Sequence, residues 1–149
     1  MALFAESHVE EACMEWLVSL GYGVLHGPDI APDGKSPERE NYGQVILRGR
    51  LRAAAERLNR HLPSSTVEEA LRKLEQTETP SLVEENRRIH AYLIDGIPVE
   101  ITRVDGSIGG DVVRLVDHGD PDSNAWQAVN KSTVIEHGHK RRPDIVIFL

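Results

Sequence analysis

The chain has 149 residues, 17 basic and 24 acidic, with a formal net charge of −7. No apolar run approaches the ~20 residues that a transmembrane helix requires, which excludes a membrane-spanning protein. The acidic balance argues against tight, autonomous binding of nucleic acid, although a local basic site remains possible. The single cysteine, Cys13, excludes an intramolecular disulfide and favours a reducing, cytoplasmic environment. The length predicts a single domain over residues 1–149.

The N-terminal part of the chain predicts a helix, a short strand and a long loop. Ser7 and Glu10 match a capping box, and an apolar stripe that includes Trp16 follows them. A short strand is expected over residues 22–26. Prolines and glycines between residues 27 and 44 prevent regular structure, so this segment predicts a long and mobile loop.

Three more helices are predicted after this loop. The first carries an apolar face over Leu47–Leu58 and ends before a proline. Capping boxes at Ser65–Glu68 and Ser81–Glu84 predict the starts of the other two. The last of these helices is expected to reach about Leu93.

The spacing of apolar residues then changes from the helical period to the strand period. Ile97, Val99 and Ile101 alternate with polar residues, and the following Asp-Gly pair indicates a hairpin. The return strand is expected over residues 108–117, with a bulge at its two consecutive glycines. Another strand is expected over residues 132–136.

The final segment, Ile145–Leu149, is nearly all apolar, which is typical of a strand in the middle of a sheet. Natural domains seldom stop within such a strand, so we expect an excised piece or the product of a truncated gene. The order of elements predicts an α+β (mixed α/β) fold with a largely antiparallel sheet.

Two carboxylates are candidates for chemistry. Asp144 begins the final strand, directly after a proline and the basic residues Lys140, Arg141 and Arg142. A carboxylate in this position can hold a metal ion near a phosphate; alternatively, it forms an ion pair with Arg141 or Arg142. Glu10 lies at the edge of the first apolar stripe, where it can reach a cleft or serve only its capping box.

Several separated segments carry a resemblance to a known family: Glu6–Glu10, Leu25–Pro32, Leu51–Ala54, Asn86–His90, Asp95–Glu100, Asn130–Val134 and Arg141–Val146. With these segments, the chain resembles the N-terminal endonuclease domain of the restriction (R) subunit of type I restriction–modification enzymes. The resemblance covers almost the whole length. Domains of that family resemble the PD-(D/E)xK nucleases, which implies a restriction-endonuclease-like central sheet flanked by helices.

The resemblance also implies a site. Glu10 would be the helix glutamate and Asp144 the aspartate that binds Mg²⁺ for phosphodiester hydrolysis, with Lys140, Arg141 and Arg142 near the DNA. The E-x-K motif of these nucleases would follow the strand that Asp144 begins, and the 149 residues do not contain it. We therefore expect this chain alone to cut DNA poorly or not at all, and to bind Mg²⁺ weakly or not at all.

The resemblance implies DNA and the modification (methyltransferase) and specificity subunits as partners. ATP would act only through motor domains of a full-length subunit, since this chain has no G-x-x-x-x-G-K-[ST] phosphate loop. Two alternatives stay open. One is a non-catalytic interaction module that docks on the modification enzyme or self-associates through residues 145–149. The other is a different nuclease of the same superfamily, such as a repair or junction-cutting enzyme.

Overall fold

The computed structural model describes residues 6–149, and these residues form a mixed α+β fold. The helices are α1 (Glu6–Ser19), α2 (Arg48–Leu58), α3 (Ser64–Glu75) and α4 (Leu82–Asp95). The strands are β1 (Gly23–His26), β2 (Ile97–Thr102), β3 (Ile108–Val113), β4 (Gln127–Asn130), β5 (Val134–Glu136), β6 (His139–Arg141) and β7 (Ile145–Phe148). The predicted fold class is therefore confirmed. None of the described helices is both long enough and apolar enough to cross a bilayer.

Contacts within the chain divide it into two compact units. The first combines the N-terminal segment up to Gly49 with Ala125–Leu149, and the second is Arg50–Asn124. Each unit has an apolar core of its own. In the first, Ile30, Leu47 and Val129 are buried together.

The first unit is built on a three-stranded sheet in the order β1-β4-β7. Strand β4 lies in the centre, parallel to β1 and antiparallel to β7. In this register Asn130 pairs with His26 on one side and with Ile145 on the other. Three strand termini therefore meet at one end of the sheet: the last residue of β1, the last residue of β4 and the first residue of β7.

Three strand predictions in this unit need correction. The central strand β4 was not predicted, because its sequence Gln-Ala-Val-Asn does not alternate between apolar and polar residues, although Ala128 and Val129 are fully buried. Strand β6 was also missed, since it occupies the exposed basic segment His139–Arg141. Strand β7 lies at the edge of the described sheet, paired only with β4, and not in the middle.

The buried face of helix α1 overlaps only in part with the predicted apolar stripe, since Cys13 and Leu17 are partly buried and other members of the stripe are exposed. Ser7 lies inside the helix and is not its N-cap, and Trp16 is 76% exposed. The buried residue is Met14, with Glu10 and Leu17 partly covered on the same face. Helix α1 contacts β1 and β4 through this face. The face that packs on the sheet therefore includes the carboxylate of Glu10 and leaves Trp16 exposed.

The segment between β1 and α2 contains no helix or strand, as predicted. It is nevertheless anchored by its own backbone hydrogen bonds: the amide of Ser36 donates to Asp29, and that of Glu38 donates to Ile30. Arg39 is buried and donates from Nη1 to the carbonyl of Thr133 at 2.8 Å. The mobility of this loop stays a prediction.

The second unit confirms most of the predicted helices and the hairpin. Ser81 is the N-cap of α4 and accepts from the amide of Glu84 at 3.4 Å. The capping box predicted at Ser65 does not form, because α3 begins at Ser64 with Pro63 as its N-cap. Strands β2 and β3 pair without interruption from Ile97–Val113 to Thr102–Ile108, so the predicted glycine bulge is absent. Strand β3 also ends at Val113 and not at residue 117.

Buried Asn59 fastens α2 to the end of β3 in this unit. Its Nδ2 donates to the carbonyls of Ala55 and Arg114, each at 2.8 Å, and its Oδ1 accepts from the amide of Arg114 at 2.8 Å. These bonds satisfy backbone groups that would otherwise be buried without partners. The apolar core of the unit is formed by Ala55, Leu62, Val67, Ala70, Leu71, Ile97, Val99, Val113 and Leu115.

Candidate functional site

A cleft of about 370 Å³ lies between α1 and the end of the sheet where β1 and β4 finish. It is lined by Ser7, Glu10, Glu11, Met14, Val24, Leu25, His26, Asn130 and Lys131. The carboxyl ends of parallel strands are a frequent place for ligands, because side chains that follow the strands converge there. Here the parallel pair is β1 and β4, and the helix adds the carboxylate of Glu10.

Three polar side chains form a connected chain in this cleft. Nδ2 of Asn130 donates to Oε1 of Glu10 at 3.0 Å. Oδ1 of Asn130 lies 2.8 Å from Nδ1 of His26. Glu10 is partly buried, and this contact holds its carboxylate in one orientation inside the cleft. Glu10 therefore has a partner in the folded protein other than the capping box predicted for it.

The backbone of Lys131 joins this cleft to the start of β7. Its amide donates to the carbonyl of Asp144 at 3.0 Å, and its φ is 51°, a left-handed conformation that is unusual for a residue other than glycine. Gly27 allows the close approach of this segment, since a Cβ there would lie 2.5 Å from the carbonyl oxygen of Asn130. Position 27 therefore excludes any larger side chain.

Asp144 lies beside the cleft but does not line it. It is exposed at the start of β7, and its carboxylate makes no hydrogen bond or ion pair with residues 6–149. The alternative ion pair with Arg141 or Arg142 is thus absent from the described chain. The structure brings Glu10, on α1, and Asp144, before β7, to the same end of one sheet. The backbone of Lys131 lies between them.

Glu10 and Asp144 both offer carboxylate oxygens, the type of ligand that Mg²⁺ prefers. Within residues 6–149, no three side chains of His, Cys, Asp or Glu are grouped closely enough to form a metal cage. Mg²⁺ does not need one, because it is usually held by one or two carboxylates and several waters. Glu10 offers its second oxygen, which has no partner among the described residues, and Asp144 offers both of its oxygens.

The predicted nucleic-acid-binding residues lie on and after the β5–β6 hairpin. Lys140 and Arg141 belong to β6, and Arg142 follows it; all three are exposed and form no ion pair within 4.0 Å in the described chain. Lys140 acts at longer range on Asp33. The hydrogen bond from the Tyr42 hydroxyl, at 2.5 Å, is the main cause that lowers the pKa of Asp33, and the charge of Lys140 lowers it a little further.

A second cleft, of about 300 Å³, is lined by Gly27, Pro28, Ala31, Asp33, Tyr42, Lys131 and Thr133. Lys131 lines both clefts. The basic side chains that line the two clefts are Lys131 and His26. The acidic ones are Glu10, Glu11 and Asp33. Sequence reasoning did not select His26, Asn130 or Lys131 as site residues, because the strand that brings the latter two to the cleft was not predicted.

Comparison with known proteins gives the family. The family model described as "Type I restriction enzyme R protein N terminus" matches residues 4–149. This chain belongs to that family. The resemblance found in the sequence is therefore confirmed.

Two proteins that are named as endonuclease subunits of type I restriction enzymes are similar to the chain. It is 31% identical to the type I restriction enzyme HindI endonuclease subunit of Haemophilus influenzae over 145 residues, which cover 97% of this chain. It is 28% identical over 144 residues, 95% of the chain, to a protein of Methanocaldococcus jannaschii that is assigned by name as the endonuclease subunit of a type I restriction enzyme, MjaIXP. The chain spans about 14% of the length of each. No solved structure was found to match it.

Proposed function

We propose that this chain is the DNA-cleaving domain of a type I restriction enzyme R subunit, with Glu10 and Asp144 as its catalytic and metal-binding residues. The observation that carries the proposal is the cleft at the sheet edge. In that cleft Asn130 holds the carboxylate of Glu10. Asp144 lies beside the cleft, directly before β7, and its carboxylate has no partner among residues 6–149. Bound Mg²⁺ would polarise a phosphodiester and lower the pKa of an attacking water.

The proposed function also includes partners and ATP. The proposed partners are DNA and the modification and specificity subunits, and ATP would be used by motor domains elsewhere in a full-length subunit, in the cytoplasm. Lys140, Arg141 and Arg142 are proposed to contact DNA phosphates, because their side chains are exposed and form no ion pair within 4.0 Å among residues 6–149. Without an E-x-K motif after Asp144, this chain alone is expected to cut DNA poorly.

One observation favours the alternative of a non-catalytic interaction module. Strand β7 has a free edge in the described sheet, and Ile147 and Leu149 are exposed on it. Unpaired strand edges recruit other strands. Self-association through residues 145–149 is therefore the second candidate property, and it is compatible with either function.

The metal site can be tested without any cleavage. Mn²⁺ replaces Mg²⁺ at oxygen sites and broadens the NMR signals of nearby nuclei. We expect Mn²⁺ titrated into the ¹⁵N-labelled chain to broaden the amide signals of Glu10, Asn130, Lys131 and Asp144 before others. Weak binding is sufficient for this measurement, which suits a site with only two carboxylates.

The matched variants are Glu10→Gln and Asp144→Asn, each of which should remove the localised broadening. Glu15→Gln is the control, because Glu15 lies exposed on the same helix and outside the cleft. Broadening that is spread over many surface carboxylates, or that survives both site variants, would show that Glu10 and Asp144 do not form a metal site.

A further inference from the structure

The hydrogen bonds around Asn130 determine where the protons lie in the cleft. An ionised carboxylate can only accept a hydrogen bond, so the Asn130 group that faces Oε1 of Glu10 at 3.0 Å is the NH₂. The other end of the same amide, its carbonyl Oδ1, then faces Nδ1 of His26 at 2.8 Å. A carbonyl oxygen has no proton to donate, so Nδ1 of His26 carries the proton.

The proton on Nδ1 leaves Nε2 of neutral His26 as an acceptor. In a neutral imidazole one nitrogen is a donor and the other is an acceptor. Nε2 makes no hydrogen bond with residues 6–149, and His26 lines the same cleft as Glu10. The carboxylate of Glu10 thus sets the tautomer of His26 through Asn130, although the two titratable side chains do not touch.

We propose that Asn130 is a positioning residue that aims the carboxylate of Glu10 and fixes His26 in the Nδ1–H tautomer, so that Nε2 accepts a hydrogen bond from a water molecule in the cleft. This inference rests on the proposed function, in which such a water attacks a phosphodiester. A hydrogen bond to Nε2 orients that water before it reacts. The other charged groups of the lining are Glu11 and Lys131.

The surrounding backbone holds Asn130 and His26 in place. Asn130 is the last residue of the central strand and pairs in register with His26, the last residue of β1. The amide of Gly27 donates to the carbonyl of Asn130 at 2.8 Å, which ties the two strand ends together. Both side chains therefore start from backbone positions that cannot shift independently.

The test is a long-range ¹H–¹⁵N correlation spectrum of the imidazoles in the metal-free chain, at mildly alkaline pH where histidine is neutral. We expect His26 in the Nδ1–H form. His118 is an internal reference for the opposite form, since its Nε2 lies 2.9 Å from the carbonyl of Leu93 and must donate. A wild-type spectrum with His26 in the Nε2–H form would overturn the proposal.

Two variants test whether Glu10 acts on His26 through Asn130 or whether Asn130 acts alone. Asn130→Ala removes the acceptor, and Glu10→Leu lets the amide of Asn130 rotate; in each, the Nδ1–H form of His26 should lose its dominance. Asn130→Asp should retain it, because a carboxylate still accepts from Nδ1. An unchanged tautomer in both Asn130→Ala and Glu10→Leu would also overturn the proposal.

The control variant is Glu15→Leu, on the exposed side of the same helix, which should leave both His26 and His118 unchanged. The tautomer is read without metal, so it is independent of the manganese experiment. Failure of localised manganese broadening removes the proposed metal site only. Failure of the tautomer test removes the positioning role of Asn130 only.

Discussion

At the scale of single residues, Lys131 has an unusual backbone. It and His137 are the two non-glycine residues with positive φ in the described chain, at 51° and 48°. A left-handed conformation costs an L-residue roughly 1–2 kcal/mol. His137 occupies the two-residue turn between β5 and β6, where positive φ is normal for the turn type. Lys131 instead lies between two clefts, where strain is often retained for function.

We predict that Lys131→Gly stabilises the chain by about 0.5–1 kcal/mol, because glycine relieves the left-handed strain and loses only part of that gain as conformational entropy. Urea unfolding followed by circular dichroism measures the change. The amide of residue 131 still donates to Asp144 in this variant.

Two comparisons test the origin of this gain. Lys35→Gly removes an exposed lysine with an ordinary backbone together with its exposed ion pair with Asp29, which contributes little. This variant should destabilise or have no effect. His137→Gly relieves the same strain outside the clefts and should also stabilise. A stabilising Lys35→Gly, or a destabilising Lys131→Gly, would contradict the explanation by strain.

At the scale of elements, an ion pair within α4 makes further hydrogen bonds that connect this helix to the end of α3. Nη2 of Arg88 donates to Glu85 at 2.6 Å, and both side chains are only 13% exposed. Arg88 also donates to the carbonyls of Lys73 and Gln76 near the end of α3. Oε1 of Glu85 accepts from the amides of residues 78 and 79, each at 2.8 Å. The pair thus satisfies backbone groups that the helix ends and the loop leave open.

This pair predicts a dependence of stability on pH. The hydrogen bond from Arg88 is the main cause that lowers the pKa of Glu85 below its ordinary value of 4.5. A lowered pKa in the folded state means that the contribution is complete above pH 4.5 and is lost as the pH falls through the folded pKa. We expect Glu85→Gln to lower the melting temperature at neutral pH and to reduce the loss of stability on acidification.

Melting curves between neutral and acidic pH measure both effects. Glu100→Gln is the control, because Glu100 is exposed on β2 in the same unit and should leave the pH profile unchanged. A Glu85→Gln profile that runs parallel to the wild-type profile would mean that Glu85 does not contribute to the acid dependence.

At the scale of the whole chain, β7 offers a free strand edge in the described sheet. It pairs only with β4 in the described sheet, and Ile147 on it is 43% exposed. A strand of four residues offers only a few backbone hydrogen bonds, each with a net value of about 1 kcal/mol. Association through this edge is therefore expected to be weak.

We predict that the average mass measured by light scattering rises with protein concentration and that Ile147→Lys abolishes the rise, because an edge lysine opposes strand pairing. Val112→Lys is the control, since Val112 is partly exposed on a strand of the second unit. A monomeric mass at the highest concentration, or equal effects of the two variants, would exclude association through β7.

Local patterns in the sequence determined the second unit most completely. Ser81 predicted the N-cap of α4 because one side chain and an amide three residues later suffice to make that contact. The alternation at Ile97, Val99 and Ile101 predicted β2 because the buried face of a strand repeats every second residue. The resemblance to the family likewise depended on segments that can be read along the chain, and it implied roles for Glu10 and Asp144, which their positions in the sequence had already made candidates.

Only the tertiary structure decided how the first unit brings its side chains together. Asn130 meets His26 across 104 positions of the chain and Glu10 across 120 positions, so no local period carries either contact. The central strand β4 was not predicted because its four residues do not alternate between apolar and polar. The face of α1 that contacts the sheet includes Glu10 and not Trp16, which only the packing of α1 on the sheet decides. Residue types therefore determined which groups were available for chemistry, and long-range strand pairing determined which of them meet.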